Sequence, residues 1–233
     1  RSVGAYDCFQ KTWVSGSGRT AVWSENADQP LSQCSPQYVI SPAAGLPPRV
    51  ALCDVTASTN TRTVIATKVP NSWRCGNTAP VLEFDAELLA FAGLGILNTM
   101  VFDWIARRLA SGLHLNKFIL EGLVWPQLDE VEVSTAAHAA WSICASKPRS
   151  GLSTAEAAAP PQSLTGKPKR ALPIQPLEAA VRLEVLTARG LGLTHADVEF
   201  MLQADRSDRR GFWRYFDAEP LALQVVKRTL ARL

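Results

Sequence analysis

Between Leu88 and Leu109 the apolar residues do not keep to one face. Leu88, Leu89, Phe91, Ala92, Ile96, Leu97, Met100, Val101, Trp104, Ile105 and Leu109 wrap most of a helix surface. A helix that is apolar nearly all round must be covered on every side, so the rest of the chain has to supply layers around it. The pattern predicts one long buried helix from about Ala86, with Asp85 as its N-cap. Gly93 and Gly95 lower helix propensity but let another backbone come close. Arg107 and Arg108 suit the negative end of the helix dipole, and Gly112 is a C-terminal stop. The richest apolar run, from Leu88 to Leu97, is too short to span a bilayer and is followed by Asn98, Thr99 and Asp103. The expectation is burial in protein.

On either side the period changes. Residues 1 to 84 read as strands and turns, with β-prone runs at Trp13-Val14, Ala21-Val22-Trp23, Tyr38-Val39-Ile40, Val50-Ala51-Leu52 and Val64-Ile65-Ala66. Gly16, Gly18, Asn26, Asp28, Pro30 and Pro42 punctuate them, and residues 41–48 form a loop. After the long helix, Phe118-Ile119-Leu120 and Leu123-Val124-Trp125 return as strand, ended by Pro126. A second helix follows from about Val131 to Ala145. Residues 146–176 mix Ser, Ala and Gly with six prolines and five basic residues, a basic linker or surface excursion. The tail is helical again. Leu177 to Arg189 keeps helical spacing up to Gly190-Leu191-Gly192, Thr194 and Asp197 make a capping-box pair, and a last helix follows Pro220.

With 233 residues the chain can bury a real core, in one or two domains. A net charge of +3 permits nucleic-acid contact but argues for it weakly. The five cysteines are scattered and odd in number, with no C-x-x-C pair, which disfavours a zinc site and a disulfide framework and fits a cytoplasmic location. The chain opens at Arg1 with no Met or signal peptide, and it reads as a piece cut from a longer protein.

The donor-rich turn Thr56-Ala57-Ser58-Thr59-Asn60-Thr61-Arg62-Thr63 lies between two strand-like runs. Asn, Arg, Ser and Thr are the side chains that read base edges or grip phosphates, and they also satisfy the backbone of an ordinary hairpin. Arg62 can donate to guanine O6 and N7, and Asn60 can pair with adenine N6 and N7, while Ser58, Thr59 and Thr63 suit phosphate oxygens. Alternatively, Arg62 clamps Asp54 internally. Arg74, Asn77 and Thr78 form a second candidate loop. His114, Asn116 and Lys117 form a third, where strand alternation would put His114, Asn116 and Phe118 on one face.

The order of these words resembles the target-recognition region of adenine-specific DNA methyltransferases, above all single-chain type IIG restriction–modification enzymes. The words are Asp54, Ser58-Thr59-Asn60, Arg62-Thr63, Cys75-Gly76-Asn77-Thr78-Ala79-Pro80, the apolar helix, and Gly112-Leu113-His114-Leu115-Asn116-Lys117-Phe118. Gly211-Phe212-Trp213-Arg214-Tyr215-Phe216 also looks like a C-terminal word of these enzymes, and it either contacts nucleic acid or docks a terminal helix. Cys53 stands where the family often has Arg, so one DNA contact of the family is lost if that Arg makes one. The resemblance implies an α+β or α/β module with a mixed sheet and a long buried helix, similar to a type I specificity subunit, plus a helical C-terminal part. Together with the spacing and composition above, it gives domains at 1–128 (target recognition), a helix at 129–145, the linker at 146–176, and a helical region at 177–233. The DNA-facing set would be Ser58, Thr59, Asn60, Arg62, Thr63, Lys68, Arg74, Asn77, His114, Asn116 and Lys117.

A base-modifying enzyme needs a (D/N/S)-P-P-(Y/F) loop for the flipped adenine and a Gly-rich turn for S-adenosylmethionine. Pro47-Pro48 is followed by Arg49, and Gly16-Ser17-Gly18 has no helix after it. There is no nucleophile elbow, and the three histidines lack partners at metal-ligand spacing. The expectation is a segment without its own catalytic residues or cofactor. It would recognise double-stranded DNA for a methyltransferase domain in the same polypeptide, one that uses S-adenosylmethionine and, in type IIG enzymes, accompanies a nuclease. The competing class is a protein-interaction or scaffold domain.

Overall fold

The apolar segment predicted as one helix is two. In a computed structural model that describes residues 12–15, 22–24, 46–69, 75, 78–110, 112–115, 117–146, 161 and 173–233, helix α1 runs Glu87–Leu97 and α2 runs Met100–Leu109. Their axes differ by 70°. The break is chemical. Asn98 donates to the carbonyls of Leu94 and Ala66 and accepts the Ala66 N–H, so its amide is a bridge to a strand and not a helix surface group. Thr99 caps α2 by accepting from the Phe102 N–H, and its hydroxyl donates to the Ile96 carbonyl. Both residue types favour caps over helix interiors because their short polar side chains compete for backbone groups. Ala86, not Asp85, is the N-cap of α1, and it offers no side-chain bond.

Strands β1 (Thr12–Ser15) and β2 (Val22–Ser24) form an antiparallel pair. A second sheet has β3 (Arg49–Leu52) between β4 (Ala66–Val69) and β5 (Val81–Glu83). Its register pairs Arg49 with Val69 and Glu83, and Leu52 with Ala66. All described pairings are antiparallel, so the expected mixed sheet is replaced by a small antiparallel one within an α+β architecture. The run at Tyr38-Val39-Ile40 lies outside the described residues, as do 147–160 and 162–172 of the expected linker.

The segment expected to return as strand after α2 does not. Lys117–Glu121 is a short helix, α3, and Leu123 to Trp125 is irregular. Ile119 and Leu123, four apart, are buried while Glu121 between them is exposed, which fits a helical period and not strand alternation. Among the described residues, Val55 and His114 form an isolated antiparallel bridge. Helix α4 (Glu130–Ala145) begins in a capping box of Asp129 and Glu132. Helix α5 (Pro176–Gly190) starts with Pro in its first turn, and the chain turns back at Gly192, whose φ of +71° suits glycine. Helix α6 (His195–Met201) has the expected Thr194–Asp197 capping box. Helices α7 (Trp213–Ala218) and α8 (Pro220–Leu230) end the chain.

One apolar cluster joins the three-stranded sheet, α1 and α4 and reaches Ala179 and Leu183 of α5. A second lies among Met100 and Val101 of α2, the other face of α5, and α6 to α8. Gly95 makes the crossing of α1 with α4 and α5 possible. A Cβ there would sit 2.6 Å from Leu183 and 3.1 Å from the Ala140 methyl. Among the described residues no single helix is long and apolar enough to cross a membrane.

Candidate nucleic-acid interface

The polar turn is tied to the interior by one carboxylate. Asp103 is fully buried on α2. Its Oδ1 accepts the backbone N–H groups of Thr63 (3.0 Å) and Val64 (2.6 Å). Its Oδ2 pairs with Arg62 Nε (3.1 Å) and Arg107 Nη2 (3.1 Å). Arg107, four residues on, is also fully buried and lies over the Phe212 ring at 4.2 Å. It donates to the carbonyls of Thr61 and Gly211. Burial pulls the Arg107 guanidinium below its ordinary value, and Asp103 opposes that pull. Arg62 donates onward to the carbonyls of Asn98 (2.8 Å) and Thr99 (3.2 Å), the two residues of the bend. The turn, the bend and the C-terminal aromatics therefore share one charged knot.

Glu184 adds a second buried carboxylate on α5. Its two oxygens accept the N–H groups of Met100 and Val101, the first two of α2, which have no partner within the helix. Burial pushes its carboxyl up to about 7, against the pull of those two amides and of Arg62. Glu184, Arg62, Asn98, Thr99 and Tyr215 line a cavity of about 20 Å³, room for a single water.

Outside the knot the turn reaches the surface. Ser58, Thr59 and Asn60 are half-buried, the Asn60 N–H donates to the Ala57 carbonyl, and the Asn60 amide donates to Thr56 Oγ1 at 3.3 Å. The Thr56 N–H donates to the Leu113 carbonyl at 2.9 Å, which joins the turn to the His114 segment. There His114 Nδ1 lies 2.7 Å from Asp54 Oδ2. The words at 54–63, at 98–107 and at 112–115 thus meet in one place.

Several expected contacts have other employment. Arg62 makes an internal clamp, as the alternative reading allowed, but on Asp103, while Asp54 holds His114. Thr63 is fully buried, with its hydroxyl donating to the Ala57 carbonyl, so it faces no phosphate. Lys68 is buried in β4, pairs with Glu87 at 3.0 Å and lies 5.8 Å from the Phe91 ring centre. Ser58, Thr59, Asn60 and His114 remain accessible. Arg74, Asn77 and Asn116 lie outside the described residues, and Lys117 is described only as the start of α3. In the aromatic word, Phe212 and Phe216 dock into the second apolar cluster, and Trp213 is flanked by Arg206 and Arg214.

Asp103, Arg107 and Glu184 were not singled out as a site. Their signal was present. Asp103 and Arg107 are an i, i+4 pair within an apolar helix, and Glu184 interrupts the apolar stripe of α5. Among the described residues the thiols offer no activated nucleophile: burial pushes Cys144 up to about 12, burial together with Asp54 raises Cys53, and burial raises Cys75. Among the described residues no three His, Cys, Asp or Glu side chains gather as a metal site would require. Comparison with protein-family models, with curated proteins and with solved structures gave no match.

Proposed function

We propose that this chain recognises double-stranded DNA for an adenine-specific methyltransferase domain outside it. The observation that carries the reading is the convergence just described. Words separated by about fifty residues, each quoted for its likeness to type IIG target-recognition regions, share one hydrogen-bonded patch. A buried framework underlies it, and Ser58, Thr59, Asn60 and His114 are left on the solvent side. Recognition of a duplex needs polar groups whose positions are fixed before binding, because ordering them on contact would cost affinity. The Asp103–Arg62–Arg107 knot supplies that fixation. The parent would use S-adenosylmethionine; this reading assigns the cofactor no site in the present chain.

Selection from a pool of randomised duplexes tests the reading. A chain that recognises DNA enriches a defined site, and substitution within Ser58-Thr59-Asn60 lowers affinity for it. A protein-interaction domain enriches none.

A further inference from the structure

We infer that His114 reads an exocyclic base amine, adenine N6 or cytosine N4, through an unprotonated Nε2. This rests on the DNA-recognition reading and names the group that one side chain of the site would meet. The imidazole is firmly held. The bridge between Val55 and His114 is flanked by two backbone bonds, Thr56 N–H to the Leu113 carbonyl at 2.9 Å and Leu115 N–H to the Asp54 carbonyl at 2.8 Å. Asp54 is pinned from its other side, its N–H donating to the Thr78 carbonyl at 3.2 Å. Both members of the pair therefore sit on fixed backbone.

The chemistry follows from the partner. An ionised carboxylate only accepts, so with Asp54 Oδ2 at 2.7 Å the proton belongs on His114 Nδ1. A neutral imidazole with its proton there presents a lone pair at Nε2. The Asp54 side chain is 16% exposed and that of His114 59%, so the carboxylate is tucked beneath while the ring stands in solvent. A phosphate oxygen is an acceptor, as are guanine O6 and N7, and none of them can bond an acceptor. The donors on the major-groove edges are the amines of adenine and cytosine. Val55, across the bridge, and Leu113, beside His114, are exposed apolar side chains, suited to a thymine methyl group next to the amine. In its neutral form the ring thus has a reading role and not the phosphate grip that its donor-rich surroundings suggest, whereas an imidazolium would donate from Nε2.

Two measurements at about pH 8 test this. Long-range nitrogen–proton NMR of the free 233-residue chain should show a neutral His114 ring with its proton on Nδ1, and a proton on Nε2, in the other tautomer or in the imidazolium, would overturn the inference without any DNA. In duplex selection, the wild type should enrich a site of defined columns, each of which, as a base pair, carries one exocyclic amine in the major groove, on adenine or on cytosine. His114→Ala should lose the preference at one such column, with roughly a tenfold loss of affinity for the wild-type site. A duplex with purine in place of that adenine, or 2-pyrimidinone in place of that cytosine, lacks the amine alone; it should weaken the wild type by a similar factor and leave His114→Ala unaffected, and undiminished wild-type affinity would overturn the inference. Weakening by the purine substitution assigns N6, and weakening by the 2-pyrimidinone substitution assigns N4. A wild-type site recovered unchanged by His114→Ala overturns this inference alone. No site enriched by the wild type overturns the recognition reading and this inference with it.

Discussion

Asp103 holds more of the candidate surface in place than any residue on it. Two backbone N–H groups of the turn and two guanidinium groups converge on its carboxylate, with no exposure to water. Removing one partner of such a pair leaves buried charge uncompensated, so Asp103→Ala should cost about 3–5 kcal/mol in denaturant unfolding. The double variant Asp103→Ala/Arg107→Ala should cost less than the sum of the two, because each single change strands the other residue's charge. Glu184 makes a prediction about pH. Its carboxyl is raised from 4.5 to about 7, so the folded state keeps a proton that the unfolded chain gives up. Stability from this group is therefore full below about pH 4.5, falls as pH rises through about 7, and then levels. Unfolding followed across that window should show the decline, and Glu184→Gln should flatten it. A wild-type profile without that slope would contradict the assignment.

At the scale of elements, the bend between α1 and α2 organises the site. Because the chain turns at Asn98 and Thr99, their carbonyls face Arg62 and the first amides of α2 face Glu184. Asn98→Ala removes the three hydrogen bonds that its amide makes to Ala66 and Leu94. It should cost about 1–3 kcal/mol and increase amide exchange at the β4 edge. The helices were largely legible from spacing and capping, α4, α5 and the Thr194–Asp197 box most directly. The bend was less so, since apolar periodicity runs straight across it and the Asn-Thr pair carries the signal alone. The segment after α2 misled because Phe118 to Leu120 has strand-like composition, whereas the burial of Ile119 and Leu123 follows a helical period. At the site, residue type proved a weak guide to direction. Arg62, Thr63 and Lys68 are the polar residues a DNA reader would use, yet tertiary partners far along the chain draw them inward.

For the whole molecule, the two apolar clusters meet along α5, which contributes Ala179 and Leu183 to one and Ala180, Val181 and Val185 to the other. The helical tail is therefore part of the framework under the turn. Through Arg107 and the Gly211 carbonyl, it reaches the Asp103 knot itself. Salt dependence of duplex binding tests the central claim most directly, comparing the wild type with a Ser58→Ala/Thr59→Ala/Asn60→Ala variant of unchanged thermal stability. Duplex recognition predicts that wild-type affinity falls tenfold or more between about 50 and 200 mM salt, by counterion release where Lys and Arg side chains, the expected Arg74 and Lys117 among them, meet phosphates. It also predicts that the variant binds the selected duplex at least about tenfold more weakly. Affinity indifferent to salt, or a variant that binds like the wild type, would contradict it.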